Sequence, residues 1–294
     1  MPVTVGIAFA FVAMLCWGFG DFLIQKSARK VGDWETLFII SFVGTLMLTP
    51  FVRHSLPDLF TADSSYGLYI LIACSVVLFF AALLDFEALK VGKISVVEPV
   101  WSTEIIASAF LAYFILKESL DILQILLIAF LIVGLILVSI KEKGKFSFKN
   151  FFFERGVVMA FVAAIAMGSA NFMMGIGARA SDPIIANFFV NIVIALLTLI
   201  YLVYKGRLHK AFRDFKNNFK LMLTMSVMDT LAWVAFAFSM SLAPIGIAVA
   251  LSESYIIISV SLGFFLNREK LQRHQKLGLV MALIGAISLA AITT

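Results

Sequence analysis

Ten apolar stretches, each long enough to cross a lipid bilayer, follow one another along nearly the whole of this 294-residue chain. They run 3–26, 34–52, 66–89, 94–116, 120–140, 156–179, 183–204, 219–242, 244–266 and 272–293. A hydrocarbon core about 30 Å thick is crossed by about 20 helical residues. In lipid the backbone must satisfy its own hydrogen bonds, and these stretches are too long for barrel strands, so each is read as an α-helix. Composition agrees: 62% of residues are hydrophobic and 14% charged, where soluble domains carry roughly 45–50% apolar residues. The mean hydropathy is +1.04. The first stretch lacks the basic start of a secretory signal, is too long for one and carries Asp21, so it reads as the first span. Pro183 and Pro244 stand where a first-turn proline belongs.

An internal repeat accompanies the spans. Gly6 to Arg29 reads GIAFAFVAMLCWGFGDFLIQKSAR and Gly156 to Arg179 reads GVVMAFVAAIAMGSANFMMGIGAR. At an offset of 150, Gly6/Gly156, Ala10/Ala160, Gly18/Gly168, Phe22/Phe172 and Arg29/Arg179 are among nine identities, and Asp21 falls opposite Asn171. Toward the end of each half the offset is 151, with Glu118 opposite Glu269, Leu120 opposite Leu271 and Gly134 opposite Gly285. The expected fold is therefore all-α in the membrane, with two five-helix repeats: residues 1–140 and 156–294, joined by a basic loop at 141–155. An odd number of spans inverts the second copy relative to the first, which places a central cavity at the repeat interface. Loops are short apart from 141–155 and 205–218, both basic and polar.

Of the 23 lysines and arginines, all but Arg53, Lys117 and Arg179 fall on the side of loops 1–2, 3–4, 5–6, 7–8 and 9–10. The positive-inside rule makes that side cytoplasmic and both termini external, in an inner or plasma membrane. The net charge of +5 is thus a membrane signal and not a nucleic-acid one. Cys16 and Cys74 lie within apolar runs and read as unpaired small hydrophobes, and no His/Cys/carboxylate spacing suits a metal. No cofactor is expected. The expected partners are the bilayer, a small-molecule substrate and protons, for a monomer or homodimer.

Acidic residues inside hydrocarbon are functional candidates by default. Glu104, Asp229 and Glu253 fall near the middle of the fourth, eighth and ninth spans. Trp101 precedes Glu104 by three and Trp233 follows Asp229 by four, both same-face spacings, and Tyr255 flanks Glu253. In the repeat register Tyr255 matches Glu104, and Ser102 matches Glu253. Nearer the basic side are Asp21 on a stripe with Trp17, Asp85 and Glu87 beside Lys90, and Glu98 before the helix-kinking Pro99. Asp85 and Glu87 read as acids snorkelling to the interface; Glu98 and Asp21 stand open between that role and a place in the site. The competing role for Glu104, Asp229 and Glu253 is a structural interhelical hydrogen bond. Asn187 and Asn191, four apart, read as glue between helices, and Gly134, Gly278 and Gly285 as close-packing points.

No lysine or arginine lies mid-span, which disfavours phosphorylated or other anionic substrates. An acid-lined interior suits a cation, a zwitterion or a proton. Desolvation makes a carboxylate hold its proton more firmly, so such a group can exchange a proton for a cationic substrate near neutral pH, and tryptophan faces add cation–π attraction. Gly18-Phe19-Gly20-Asp21 matches the GxGD pattern of intramembrane aspartyl proteases, but no preceding helix and no Tyr-Asp pair exist to supply the second aspartate. An enzyme is not expected.

The chain resembles a ten-helix, EamA-type member of the drug/metabolite transporter superfamily. The likeness rests on Trp17-Gly18, on Val97-Glu98-Pro99-Val100, and on Lys117-Glu118-Ser119-Leu120 followed by a Gly134-bearing span and echoed by Arg268-Glu269-Lys270-Leu271. The resemblance implies a cavity between the halves lined by spans 1, 3, 4, 6, 8 and 9, with spans 5 and 10 peripheral, and movement of small polar metabolites, commonly amino acids or their relatives. Two departures stand out. Val249-Ala250 replaces the Glu-Pro motif in the ninth span, and the charge count puts the termini opposite to the family's usual cytoplasmic placement. Secondary transport by alternating access is the expected function, with a passive facilitator of the same fold, or a non-transporting sensor or hydrolase, as alternatives.

Overall fold

In the computed structural model, residues 2–53, 65–91, 100–140, 155–258, 261 and 272–293 are described. Among them there is no strand. The helices are α1 (Pro2–Val31), α2 (Asp33–Val52), α3 (Ser65–Val91), α4 (Thr103–Leu116), α5 (Ile122–Ser139), α6 (Arg155–Ala180), α7 (Pro183–Tyr204), α8 (Leu208–Asn217), α9 (Phe219–Leu242), α10 (Ile245–Ser252) and α11 (Arg273–Thr293). Eight helices are long and apolar enough to cross a membrane; those in the fourth and ninth stretches are shorter. Pro183 opens α7 as anticipated, and ahead of it the Asp182 carboxylate accepts from the N–H groups of Ile184 and Ile185, leaving the proline where no donor is needed.

Most packing runs between the halves. The most extensive contacts join α3 to α6, α1 to α9, α5 to α11 and α2 to α7, followed by α4 with α6, α2 with α9, α4 with α10 and α1 with α10. Exchanging the halves turns α3–α6 into α9–α1 and α4–α6 into α10–α1, and returns α5–α11, α2–α7 and α4–α10 to themselves. The same exchange holds at individual residues. A β-carbon on Gly168 would stand 2.5 Å from the Glu104 carbonyl oxygen and 2.7 Å from Ala107 Cβ, while one on Gly18 would collide with Ile258, the register partner of Ala107. Gly134 abuts Ala282 and Gly285 abuts Leu131, again register partners. Lipid tails are as apolar as leucine, so helices in a membrane associate through close backbone approach, and these glycines permit it. Gly278 meets the Gly134 carbonyl at the same crossing.

Helix ends segregate to two faces. Gly6 of α1 lies beside Leu242 and Ala243 at the end of α9, Gly67 of α3 beside Ala180 at the end of α6, and Gln124 of α5 donates to Thr293 of α11 at 3.3 Å. On the opposite face His274 of α11 meets the Ile140 carbonyl at 2.9 Å, and Glu35 of α2 meets Arg207 and Lys210. Outward-facing stripes stay apolar: Val5, Val12, Leu15 and Phe19 on α1, and Ile106, Phe110 and Phe114 on α4 are exposed. By contrast, α10 is buried throughout its length.

One expectation needs correction. The segment 205–218 reads as a polar loop, yet most of it forms α8. Leu208, Ala211, Phe212 and Phe215 recur at i, i+3, i+4 and i+7, an amphipathic helical period outweighed in the reading by the surrounding charge. The loop at 141–155 lies outside the described residues save for Arg155, which begins α6.

The α5–α11 crossing gives a direct check. Gly134→Val would press its side chain into the Ala282 backbone nitrogen, 2.6 Å from the β-carbon position. Overpacking of this kind costs about 1–3 kcal/mol, so thermal unfolding in detergent should shift clearly downward, whereas Val133→Ala, on the exposed side of the same helix, should barely move it.

Candidate functional site

The three mid-span carboxylates all face protein and none faces the exterior: Glu104 is 7% exposed, Glu253 8% and Asp229 9%. Each takes part in at least one polar or electrostatic interaction. Their placement follows from three central elements. Asp229 lies midway along α9, the helix whose flanks touch α1, α2, α6, α7 and α10. Glu253 closes α10, and Glu104 sits in the first turn of α4.

An aromatic cluster lies among these elements. The Trp17 ring of α1 meets Trp233 edge-on at 5.3 Å and Phe236 at 5.0 Å, both from α9, and is tilted against Tyr255 at 6.2 Å. Trp233 and Phe236 are themselves edge-on at 5.8 Å. Edge-to-face contacts let the quadrupoles attract and fix the ring planes. So three sequence-nominated residues, Trp17, Trp233 and Tyr255, converge. Phe236 joins them unforeseen, because phenylalanine is too common in this chain to be singled out. Along α1, Ser252 of α10 reaches the Ala10 carbonyl at 3.5 Å, and Gly20 lies against the Met228–Asp229 turn of α9. Ten residues separate Ala10 from Gly20, about 15 Å of helix. Glu253 and Asp229 therefore lie at different depths, with the aromatic cluster between them.

The fourth and ninth stretches are interrupted at matching positions. Ser102 has ψ −12° and Glu253 has ψ −10°, flatter than the roughly −42° of an α-helix, and the two residues are register partners. In the ninth stretch the Ser254 N–H bonds Leu251 O at 3.2 Å, three residues back, while its hydroxyl donates to Ala250 O at 2.9 Å. In the fourth, the Thr103 hydroxyl donates to Val100 O at 2.6 Å. Thr103 and Ser254 are register partners too. Each hydroxyl takes up a carbonyl beside the interruption, which is how a helix in lipid tolerates a break. The interruption falls between Trp101 and Glu104, so their three-residue spacing does not belong to one continuous helix. Trp101 is half-buried and Ser102 buried, with its hydroxyl lacking a partner among the described residues.

Asn171 of α6 is 2% exposed, and no acceptor lies within reach of its Nδ2 among the described residues. Asn187, in contrast, donates to Pro183 O at 2.8 Å and to Trp233 O at 3.2 Å, tying α7 to α9 as interhelical glue. Glu98, Pro99 and the side chains of Asp21 and Glu87 lie outside the described residues, and Asp85 is half-buried.

Two ion-pair knots, one at each face, went unnoticed in the sequence. Glu118, held after the left-handed Lys117 (φ 56°), accepts from Arg179 at 2.5 Å and from the Ile245 N–H at 2.8 Å, and Arg179 also donates to the carbonyls of Met240 and Ala243. At the other face Glu35, fully buried, receives Arg207 at 3.0 Å on both oxygens and Lys210 at 3.2 Å. Each knot joins the two halves. An acid in a first helical turn reads as a dipole complement, which is why Glu35 drew no notice.

The two asparagines should separate on mutation. Asn187→Ala removes a buried interhelical bond and should lower stability in detergent by about 1–3 kcal/mol. Asn171→Ala removes a donor that serves no partner among the described residues and should cost clearly less in the same unfolding measurement.

Comparison with known proteins adds the following. Residues 4–140 and 154–291 each match the EamA-like transporter family. No curated protein matches. A solved structure described only as "Crystal structure of protein" is 14% identical, with a TM-score of 0.78 over 98% of this chain and 97% of that one, and so shares its fold. With both halves matched and the internal exchange of contacts laid out residue by residue, the chain belongs to the EamA-like transporter family, as a multi-pass membrane protein.

Proposed function

We propose that this protein is a secondary transporter that moves a small cationic or zwitterionic, amino-acid-like metabolite by alternating access, coupled to protons through its buried carboxylates. The observation that carries the reading is the burial of Glu104, Asp229 and Glu253 within protein, two of them at different depths on either side of the Trp17, Trp233 and Tyr255 rings. Interrupted helices at matching positions of two repeats mark substrate sites in transporters, and here they adjoin Glu104 and Glu253. The proposed architecture is ten spans in two inverted five-helix repeats, residues 1–140 and 156–294, around a central cavity. It is supported by the exchange of contacts and by the start of α1 lying at the same face as the end of α9.

In this mechanism a carboxylate carries a proton when the site opens to one side, releases it, and accepts the ammonium group of the substrate. The aromatic rings bind that cation by their faces and separate the two carboxylate levels. The Asn171 amide donates to the acceptor end of a zwitterion. Trp101, Glu98 and Asp21 are proposed to extend the same lining. The ion-pair knots at the two faces would open and close in turn as the halves rock.

The test is uptake into proteoliposomes with and without a pH gradient, on a substrate first found by thermal-shift screening of amino acids, polyamines and organic cations at two pH values. Glu104→Gln, Asp229→Asn and Glu253→Gln should insert and fold yet reduce proton-driven accumulation to near background. Full accumulation by all three variants would end the proposal; equilibration without accumulation by the wild type would instead indicate a facilitator.

Orientation is proposed from charge: the face bearing 20 of the 23 lysines and arginines is cytoplasmic, and both termini are external. A reporter active only in the cytoplasm, fused after Thr294, should be silent, and one inserted between Lys205 and Leu208 should be active.

A further inference from the structure

The transport mechanism uses α8, the ten-residue helix lying between α7 and α9, only through Lys210 in the Glu35 knot and leaves its other charged residues without a role. Its apolar stripe is anchored: Ala211 is fully buried, and Leu208 and Phe215 pack onto the cluster of Val31, Phe38, Ile39, Leu202 and Met222. Glu35 fixes it further, since both Arg207 and Lys210 spend their charges on that carboxylate and Lys210 also donates to Val31 O at 2.7 Å. Gly32, at φ 112°, makes room, because a β-carbon there would stand 2.7 Å from Glu35 Oε2. The opposite face of α8 is thereby held at a set height.

That face is basic. His209, Arg213 and Lys216 are exposed on it, and Lys205 and Lys220 are exposed at its flanks. Within 205–220 there are six lysines and arginines and a single acid, Asp214, which itself faces Lys210 at 3.7 Å. Among the described residues no acid pairs with Lys205, Arg213, Lys216 or Lys220. Aromatic rings border the charges: Tyr204 and Phe219 are exposed, Lys205 lies over the Tyr204 ring at 5.3 Å, and Phe212 stands edge-on to Phe38 and Phe42 while remaining 47% exposed.

We propose that α8 and its flanks form a binding site for anionic phospholipids, with phosphate headgroups on Arg213, Lys216, Lys220 and Lys205 and acyl chains against Phe212, Phe42 and Phe219. Basic clusters on an amphipathic helix beside a span attract anionic headgroups. The exposed rings choose lipid over a soluble acidic peptide, because half-exposed aromatic side chains beside spanning helices gain from hydrocarbon and from the interfacial belt. Only the leaflet assignment rests on the orientation proposed above. The test reads neither orientation nor transport, so the two fail separately.

Protein in detergent is incubated with equal amounts of phosphatidylglycerol and phosphatidylcholine, and retained lipid is counted by native mass spectrometry. The wild type should retain phosphatidylglycerol by about fivefold or more. The variant Arg213→Gln/Lys216→Gln/Lys220→Gln should lose the preference with unchanged helical circular dichroism. Should the triple variant fold poorly, the single reversal Lys216→Glu should still lower the ratio severalfold. Equal retention of both lipids by the wild type, or a preference that survives in a well-folded variant, would overturn the site. So would capture of a polyglutamate peptide without any lipid preference, which would assign the face to an acidic protein partner.

Discussion

Close approach of helix backbones at glycine is the constraint on which the rest of this structure depends. In hydrocarbon, burying leucine against leucine gains little over leaving it in lipid, so association must come from dense contact and polar pairing. Gly168 against Glu104 and Ala107, Gly18 against Ile258, and Gly134 against Ala282 bring backbones together where any side chain would intrude. These contacts join one half to the other. The halves are therefore not two domains that dock but two sets of helices that complete each other, with α10 wholly enclosed as a result.

That interleaving creates the polar interior. Helices drawn tightly together at glycines carry their carboxylates inward, because the outward stripes are filled by valine, leucine, isoleucine and phenylalanine. Breaks at Ser102 and Glu253 are tolerated because neighbouring protein surrounds them and because Thr103 and Ser254 take up nearby carbonyls. The rings of Trp17, Trp233, Phe236 and Tyr255 pack together between the levels of Asp229 and Glu253. Ion pairs tie the halves at both ends: Arg179 with Glu118 at one face, Arg207 and Lys210 with Glu35 at the other.

Part of this was legible in the chain. Long apolar stretches announce spans because bilayer thickness sets a length that no loop reaches. The repeat could be read because identities at a fixed offset include glycines and an arginine, which helical hydrophobicity alone does not require. Burial of Glu104, Asp229 and Glu253 follows from the cost of charge in lipid. Less visible was α8, whose charges masked an apolar period of only four residues. The interruption in the ninth stretch was hidden too, since Ser-Glu-Ser-Tyr contains no glycine or proline to signal a break, whereas in the fourth Pro99 stands three residues before Ser102. Glu35 escaped notice because its partner Arg207 is 172 residues away.

The sequence by itself determined that this chain is helical, membrane-embedded, duplicated and acidic within, because length, hydropathy and repetition are properties of segments read one at a time. Which acids share a level, which rings meet at Trp17, and where the halves are pinned were decided only by tertiary structure. Those depend on which helix faces cross and at what height, and a crossing is set jointly by small residues far apart in the chain.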